Sequence, residues 1–491
     1  MITAIFILNS GLKHYNKIKF DKALYYEPKN KILYPKGSKI DKKDTIILVD
    51  NNVATGRTLI NTMENLGLKR DKVLFAGSYV GNYPEKIIDI KLEPVKINGY
   101  IIAFAGDSGV GKSLISKGLE LYREIKQYKI GCAARELNPG LYGENIDETK
   151  NPYTVSEKFL QMYKIDDPII IIDGIKNIAQ LTHISYALNR PYFLFNVDSD
   201  NKEIMYSIRQ DKDDKYYKER REYFKTGLQE LQKYGSAINT SNFTTFVKLA
   251  EVLNNLGYTC KKREWGYDIF GTKHIWLDIY EKYAYSNKPI KLINKPEMHT
   301  RYVKKYGLDG KQEELIMYTA TSFRIIDDIL DEHDTRNNKP SHWKQYGLLM
   351  SEIDASALIQ KARKIAEEIG YLQEYDKMFR QTIDAVRYEI DIEEGKREYK
   401  TFDDWLKVAE KETAFRSFIG ILKHEDPHKY YIQAIKAQIK DDLIGAKKGG
   451  RKDTDTALSR PLFKKEFFPE LLSSYQSEEL KEVYIKYMEQ T

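Results

Sequence analysis

Tyr100-Ile101-Ile102-Ala103-Phe104-Ala105 runs straight into Gly106-Asp107-Ser108-Gly109-Val110-Gly111-Lys112-Ser113, and then into the helical stretch Leu114–Ile125. A continuous apolar run bounded by glycines suits a strand buried on both faces. The pattern G-x-x-x-x-G-K-S in that strand–loop–helix setting is a phosphate cradle. Glycines let backbone N–H groups converge on phosphate oxygens, and the helix N-terminus adds positive potential. Lys112 would neutralise β/γ charge and Ser113 would hold Mg²⁺. Gly106, Gly109, Gly111, Lys112 and Ser113 are therefore the expected nucleotide-binding residues.

Outward from this stretch, apolar runs at Ala4–Leu8, Thr45–Val49, Lys72–Phe75, Pro168–Ile172 and Tyr192–Val197 alternate with amphipathic segments up to about residue 256. Such alternation predicts a parallel α/β sheet with helical crossovers. Beyond Gly271 no strand is expected. Helical stripes run over 312–333, 354–391, 402–423, 428–446 and 477–489, so the fold class is multidomain, an α/β half followed by an all-α helical bundle. The expected domains are residues 1–97, 98–256 and 270–491.

The 491 residues exceed one ordinary core. With 42% hydrophobic and 31% charged residues the chain is globular rather than disordered. No apolar run approaches the length of a membrane span. Met1–Leu8 lacks a charged n-region and reads as a strand rather than a signal peptide. Two cysteines, Cys132 and Cys260, cannot build a disulfide framework or a thiolate metal site, so a cytoplasmic setting is expected. The net charge of +7 suits phosphorylated small molecules, and no nucleic-acid partner is expected.

The order of motifs after Ser113 gives the first resemblance. Gly131-Cys132-Ala133-Ala134-Arg135-Glu136, an acid at the end of the strand at Pro168–Ile172 (Asp173), a basic stretch from Arg209 to Arg221 and Ala237-Ile238-Asn239-Thr240 resemble the nucleoside-monophosphate and dephospho-CoA kinases over residues 98–256. The resemblance implies ATP as cofactor, Arg135 on the acceptor phosphate and Asp173 beside it. Cys132 and Lys176 stand where that family often has Asp and Arg, which leaves the acceptor open.

Upstream, Ile46-Ile47-Leu48-Val49-Asp50-Asn51-Asn52-Val53-Ala54-Thr55-Gly56-Arg57-Thr58 resembles the ribose-phosphate motif of type I phosphoribosyltransferases. Asp50, Asn51, Thr55, Gly56 and Thr58 would meet a ribose phosphate, but Asn51 replaces an acid and brings no charge. Only about 45 residues precede the strand, so a shortened relative that binds, or merely packs, is expected.

In the helical half, Phe323-Arg324-Ile325-Ile326-Asp327-Asp328-Ile329-Leu330-Asp331 places Asp327 and Asp331 on one helix face, a turn apart. Like charges at that spacing make sense if they hold Mg²⁺, an oxygen-seeking cation able to bridge to a diphosphate. D-D-x-x-D followed by Arg336 and Pro340 resembles the first aspartate-rich motif of trans-isoprenyl diphosphate synthases and related class I terpene synthases. The resemblance extends to Asp441-Asp442, to Gly449–Asp453 with Lys452, and to Asn287–Lys291. It implies metal ligation by Asp327, Asp328, Asp331 and Asp441, diphosphate contacts from Lys288, Lys291, Arg336 and Lys452, and Phe323 as a floor limiting chain length. The family's middle Lys-Thr pair appears as Glu412-Thr413, and Asp441-Asp442-Leu443-Ile444-Gly445 also fits a cyclase metal motif, so elongation versus cyclisation stays open. His333 and His342 read as a polar rim.

The function expected is a Mg²⁺-dependent prenyltransferase or isoprenyl diphosphate synthase, acting on short allylic diphosphates and fused to an ATP-dependent small-molecule kinase. Catalytic roles fall to Asp327, Asp331, Asp441, Lys112 and Asp173, and a homodimer through the helical domain is conceivable. The rival expectations are a terpene cyclase, an active kinase with degenerate flanks, and a nucleotide-gated sensor.

Overall fold

A computed structural model describes residues 1–8, 11–41, 43–53, 55–79, 87–93, 96–138, 151–200, 214–286, 289–336, 338–398 and 402–447. For 52, 79, 214–221, 223, 402–403 and 439–447 only the backbone is described. The chain divides into two compact units, residues 1–261 and 262–491. The first is α/β and the second helical, as the hydrophobic periodicity requires.

The first unit holds two sheets. The N-terminal sheet is built from β1 (Ile2–Ile7), β2 (Lys22–Glu27), β3 (Ile32–Tyr34), β4 (Thr45–Val53), β5 (Val73–Tyr79) and β6 (Ile90–Lys91), with α1 (Arg57–Asn65) between β4 and β5. Its order is β3-β2-β1-β4-β5-β6, parallel except for the β2–β3 pair. Ala4, Phe6, Leu24, Leu48 and Val49 are wholly buried, which is why these strands read as unbroken apolar runs.

The second sheet comprises β7 (Tyr100–Ala105), β8 (Lys126–Lys129), β9 (Ile169–Ile175), β10 (Tyr192–Asp198) and β11 (Ser236–Asn239), ordered β11-β10-β7-β9-β8 and parallel throughout. The helices are α2 (Lys112–Arg123), α3 (Ile130–Leu137), α4 (Thr154–Met162), α5 (Ile178–Leu188), α6 (Asp214–Leu231) and α7 (Val247–Asn255). From β7 the chain goes first to one side, to β8 and β9, and later to the other, to β10 and β11. Ligands of such sheets bind at the carboxyl ends of the strands, where the order switches. Gly106 begins at that end of β7.

The two sheets share one core. Phe6, Tyr15 and Tyr25 of the N-terminal part pack with Tyr153 and Ala187 of the part that carries the second sheet. At its centre lies the wholly buried His183, with Tyr15, Tyr25 and Tyr153 ring centroids 5.4, 4.9 and 5.3 Å away. Ser156 Oγ is 2.7 Å from His183 Nδ1, and the Tyr25 hydroxyl donates to Glu157. The segments expected as residues 1–97 and 98–256 are thus bonded through a buried polar and aromatic seam.

The second unit opens with β12 (Lys261–Arg263), which spans the join, and β13 (Gly266–Asp268). Its helices are α8 (His274–Ala284), α9 (Arg301–Tyr306), α10 (Gly310–Leu330), α11 (His342–Tyr346), α12 (Leu348–Glu368), α13 (Leu372–Glu393), α14 (Phe402–Leu422) and α15 (Pro427–Lys447). Two expectations need correction. The stripe 354–391 is two helices, parted at Gly370, whose φ of 84° ends α12. Strands also persist past Gly271, as the small hairpin β14 (Thr335–Arg336) and β15 (Lys339–Pro340). The core joins Leu315, Ile316 and Ala320 of α10 to Ala362, Tyr375, Phe415, Phe418 and Tyr430 on the later helices. Among the described residues no helix is long and apolar enough to cross a membrane. The stripe 477–489 lies outside the described residues.

Candidate functional site

The loop Gly106–Ser113 closes as its glycines require. Gly106, Gly109 and Gly111 have φ of 140°, 78° and 88°, a region that side-chain-bearing residues rarely adopt. A Cβ on Gly106 would lie 2.2 Å from the Val197 carbonyl, and one on Gly111 would lie 2.7 Å from Thr240 Cγ2. Thr240, wholly buried, donates to the Val110 carbonyl at 3.0 Å, so the 237–240 segment buttresses the loop. Lys112 Nζ donates to the Gly106 carbonyl at 2.9 Å and also to Asp107; Lys176 Nζ reaches Gly106 at 3.3 Å.

Asp173, at 6% exposure on β9, accepts from Ser113 Oγ and Gln127 Nε2, each at 3.3 Å, through one oxygen. Its other oxygen, Oδ1, is buried without a hydrogen-bond partner among the described residues. A buried carboxylate oxygen left over beside a serine hydroxyl fits an oxygen-seeking divalent cation. Arg135 is exposed on α3, with Nη2 3.0 Å from Cys132 Sγ. Of the basic stretch, Arg209 and Lys212 lie outside the described residues, as do the side chains of Lys215, Arg220 and Arg221.

At the N-terminal sheet, Asp50 and Asn51 stand at the carboxyl end of β4, next to β1, where that sheet's order switches. Asn51 Oδ1 accepts from Ser78 Oγ at 2.6 Å and lies 3.0 Å from His14 Nε2. His14 is wholly buried, and burial holds its proton affinity below the ordinary histidine value. The oxygen that would replace an acid is therefore spent inside the protein. Thr55 and Thr58 are exposed, and Gly56, φ 71°, precedes α1.

In the helical unit, the acidic residues sit at the last turn of α10. Asp327 and Asp331 are half-buried and Asp328 is 4% exposed. Arg336, returning on the β14 strand, donates through Nε to Asp328 and through Nη2 to Asp327 Oδ2 at 2.5 Å. Phe323 lies one turn earlier, its ring stacked 6.1 Å from Phe379 and edge-on 5.8 Å from Phe415.

His333 is half-buried beside these acids. Asp327, Asp331 and His333 each offer one ligand atom within 4.8 Å of the others. Glu332 makes this happen: its φ of 59° turns the chain back, and its carboxylate is held by Arg263 Nη1 and the Glu264 N–H, both at 3.0 Å. His342 is buried, against Ser351 Oγ at 2.8 Å. Sequence reading also missed Glu352, a wholly buried carboxyl with neither oxygen hydrogen-bonded among the described residues, whose proton affinity burial raises.

The remaining predicted residues are dispersed or outside description. Lys291 is exposed, on a stretch pinned to α12 by Ile290 N donating to Gln360 Oε1 at 2.7 Å. Lys288, Lys452 and the loop 449–453 lie outside the described residues. Asp441 and Asp442 lie on α15, with side chains outside them. Tyr306 of α9 packs on Tyr430 of α15, and Gln312 of α10 donates to the Leu422 carbonyl, so α10 and α15 begin at the same end of the bundle. From those starts Asp327 lies ~26 Å and Asp441 ~21 Å along its own helix at 1.5 Å per residue. Lys411 is paired with Glu389 at 2.8 Å, and Glu412 accepts from Tyr302 at 3.1 Å.

No protein-family model and no curated protein matches the chain. Among solved structures, an isoprenoid synthase family member from Thermotoga neapolitana is similar at 16% identity and TM-score 0.27, over 44% of this chain and 85% of that one. A geranyltranstransferase from Thermotoga maritima is similar at 18% identity and TM-score 0.26, over 45% and 86%. A sugar kinase from Janibacter sp. is similar at 12% identity and TM-score 0.23, over 32% and 95%. Likeness of this size carries neither fold nor activity to this chain, and the reading rests on the residues.

Proposed function

We propose that the helical unit is a Mg²⁺-dependent prenyltransferase or isoprenyl diphosphate synthase acting on short allylic diphosphates, and that the α/β unit is an ATP-dependent kinase of a phosphorylated small molecule. The observation that carries the first half is the gathering of Asp327, Asp331 and His333 at one helix end, with Phe323 one turn behind in an aromatic cluster. Mg²⁺, when bound, supplies the charge that stabilises a departing diphosphate. Asp327, Asp328, Asp331 and Asp441 would hold it. Arg336, Lys288, Lys291 and Lys452 would share the diphosphate's charge, with Arg336 leaving its carboxylate partners to do so. Phe323, Phe379 and Phe415 would keep water from the allylic carbon and limit the chain to about fifteen carbons, an apolar wall being what protects a cation from quenching.

In the kinase half, Lys112 would meet the β/γ phosphates, Ser113 and Asp173 would hold the nucleotide's Mg²⁺, and Arg135 would bind the acceptor's phosphate. The unpartnered Asp173 oxygen supports that role. Both reactions handle anions, and the kinase would supply or modify the prenyl acceptor. The test is diphosphate release and product analysis with short allylic diphosphates, and separately phosphoryl transfer from ATP to phosphorylated acceptors.

One observation favours a second reading of the helical unit. Lys411 is engaged with Glu389, and Glu412 stands where the resembling family carries a lysine, so neither offers that family's cationic contact for isopentenyl diphosphate. Cyclisation, or transfer to another acceptor, then replaces elongation. Turnover without isopentenyl diphosphate would establish it.

A further inference from the structure

We propose that His333 is a nitrogen ligand of the Asp327–Asp331 metal site and tunes it toward Mn²⁺ or Co²⁺ rather than Mg²⁺ alone; this rests on reading those aspartates as metal ligands. The three ligand atoms lie within 4.8 Å of one another. Atoms on opposite sides of a six-coordinate ion stand about 4.2 Å apart at ordinary metal–ligand lengths, so a small contraction completes the set.

The imidazole presents the correct atom. Nδ1 lies 3.1 Å from Arg336 Nη2, which can only donate, so this nitrogen turns its lone pair to the guanidinium N–H that also bonds Asp327. It stands 3.9 Å from Asp331 Oδ2 and 3.7 Å from Asp328 Oδ1. The same Arg336 nitrogen touches Asp327 Oδ2, so a positive group already occupies the point between Asp327 and His333 where a metal ion would sit. The backbone of His333 is held beside the acids independently of any ion. His333 N–H donates to the Asp328 carbonyl at 2.9 Å, and the Trp343 indole donates to the His333 carbonyl at 2.8 Å and the Asp328 carbonyl at 3.0 Å.

Mg²⁺ takes oxygen ligands and gains little from an imidazole, whereas first-row transition metals favour it. A mixed N/O set therefore separates the two classes of ion in a way a purely carboxylate site would not.

The experiment is titration of the full chain with Mn²⁺ in the presence of inorganic diphosphate, which offers Arg336 another partner, followed by pulsed EPR of the bound ion, with Mg²⁺ as competitor. The parent should show ¹⁴N coupling from one imidazole. His333→Gln should lose that coupling and at least about tenfold in Mn²⁺ affinity, the scale on which metal-site partners act, while Mg²⁺ affinity changes less than about threefold. Mn²⁺ that binds through Asp327 and Asp331 but shows no ¹⁴N coupling, and binds His333→Gln equally well, would overturn the role of His333 and leave the carboxylate site standing. Mn²⁺ binding unaffected by the double variant Asp327→Ala, Asp331→Ala, or absent altogether, would remove the site itself.

Discussion

Arg336 Nη2 lies 2.5 Å from Asp327 Oδ2, and the neighbouring Nε bonds the almost fully buried Asp328. The arginine offsets the charge of two successive acids, Asp327 and Asp328. The same contact opposes a metal ion until a diphosphate offers the guanidinium a better partner. Arg336→Ala should therefore bind Mg²⁺ or Mn²⁺ about tenfold more tightly in the absence of diphosphate, while its KM for an allylic diphosphate rises at least as much. Calorimetry and steady-state kinetics check the two halves. Weaker metal binding in the variant would contradict the account.

Phe323 stacks on Phe379 one turn behind Asp327. Removing the ring opens the space behind the acids, so Phe323→Ala should lengthen the prenyl product by at least one five-carbon unit, read by mass spectrometry. An unchanged product would end its role as a floor.

Among the described residues, Asp173 keeps one buried oxygen without a partner while the other accepts from Ser113. Asp173→Asn removes the charge and keeps the shape. Nucleotide affinity measured without metal should stay within about threefold of the parent, whereas the strengthening conferred by Mg²⁺ should disappear and phosphoryl transfer should fall by at least ~100-fold, about 2.7 kcal/mol of transition-state stabilisation. Equal Mg²⁺ enhancement in both proteins would contradict this assignment.

Glu157 lies in the seam between the two sheets, where burial raises its carboxyl to about 7 from an ordinary 4.5. The folded protein keeps a proton that the unfolded chain loses above pH 4.5. This stabilising term is complete below 4.5 and is lost as pH rises through 7. Glu157→Gln retains an acceptor for Tyr25 and carries no such term. Its unfolding free energy relative to the parent should therefore increase by roughly 2–3 kcal/mol between pH 4.5 and 8. His183, which burial lowers to about 3, titrates in the opposite sense but is common to both proteins, so the difference isolates Glu157. Denaturant melts across that range provide the comparison, and a flat difference would contradict the predicted slope.

Much of this was legible because the patterns were local. The apolar run at β7, the glycines after it and the carboxylates of α10 each declare themselves within a dozen residues, and the division into α/β and helical halves follows from period alone. What escaped is what distant residues impose. β8 reads Lys126-Gln127-Tyr128-Lys129 and β11 reads Ser236-Ala237-Ile238-Asn239, too polar and short to signal a strand until β9 and β10 pair with them. His333 follows Asp331 by two residues, a spacing that on a continuing helix faces away. Only the left-handed turn at Glu332, fixed by Arg263 and Glu264 nearly seventy residues upstream, brings it back.

The most direct measurement is diphosphate release and prenyl product formation from dimethylallyl, geranyl and farnesyl diphosphates with Mg²⁺, with and without isopentenyl diphosphate, comparing the parent with Asp327→Ala. The account predicts Mg²⁺-dependent turnover to a short product in the parent and a loss of at least ~100-fold in the variant, about 2.7 kcal/mol of transition-state stabilisation. No release from any of the allylic diphosphates, with Asp327→Ala indistinguishable from the parent, would contradict it.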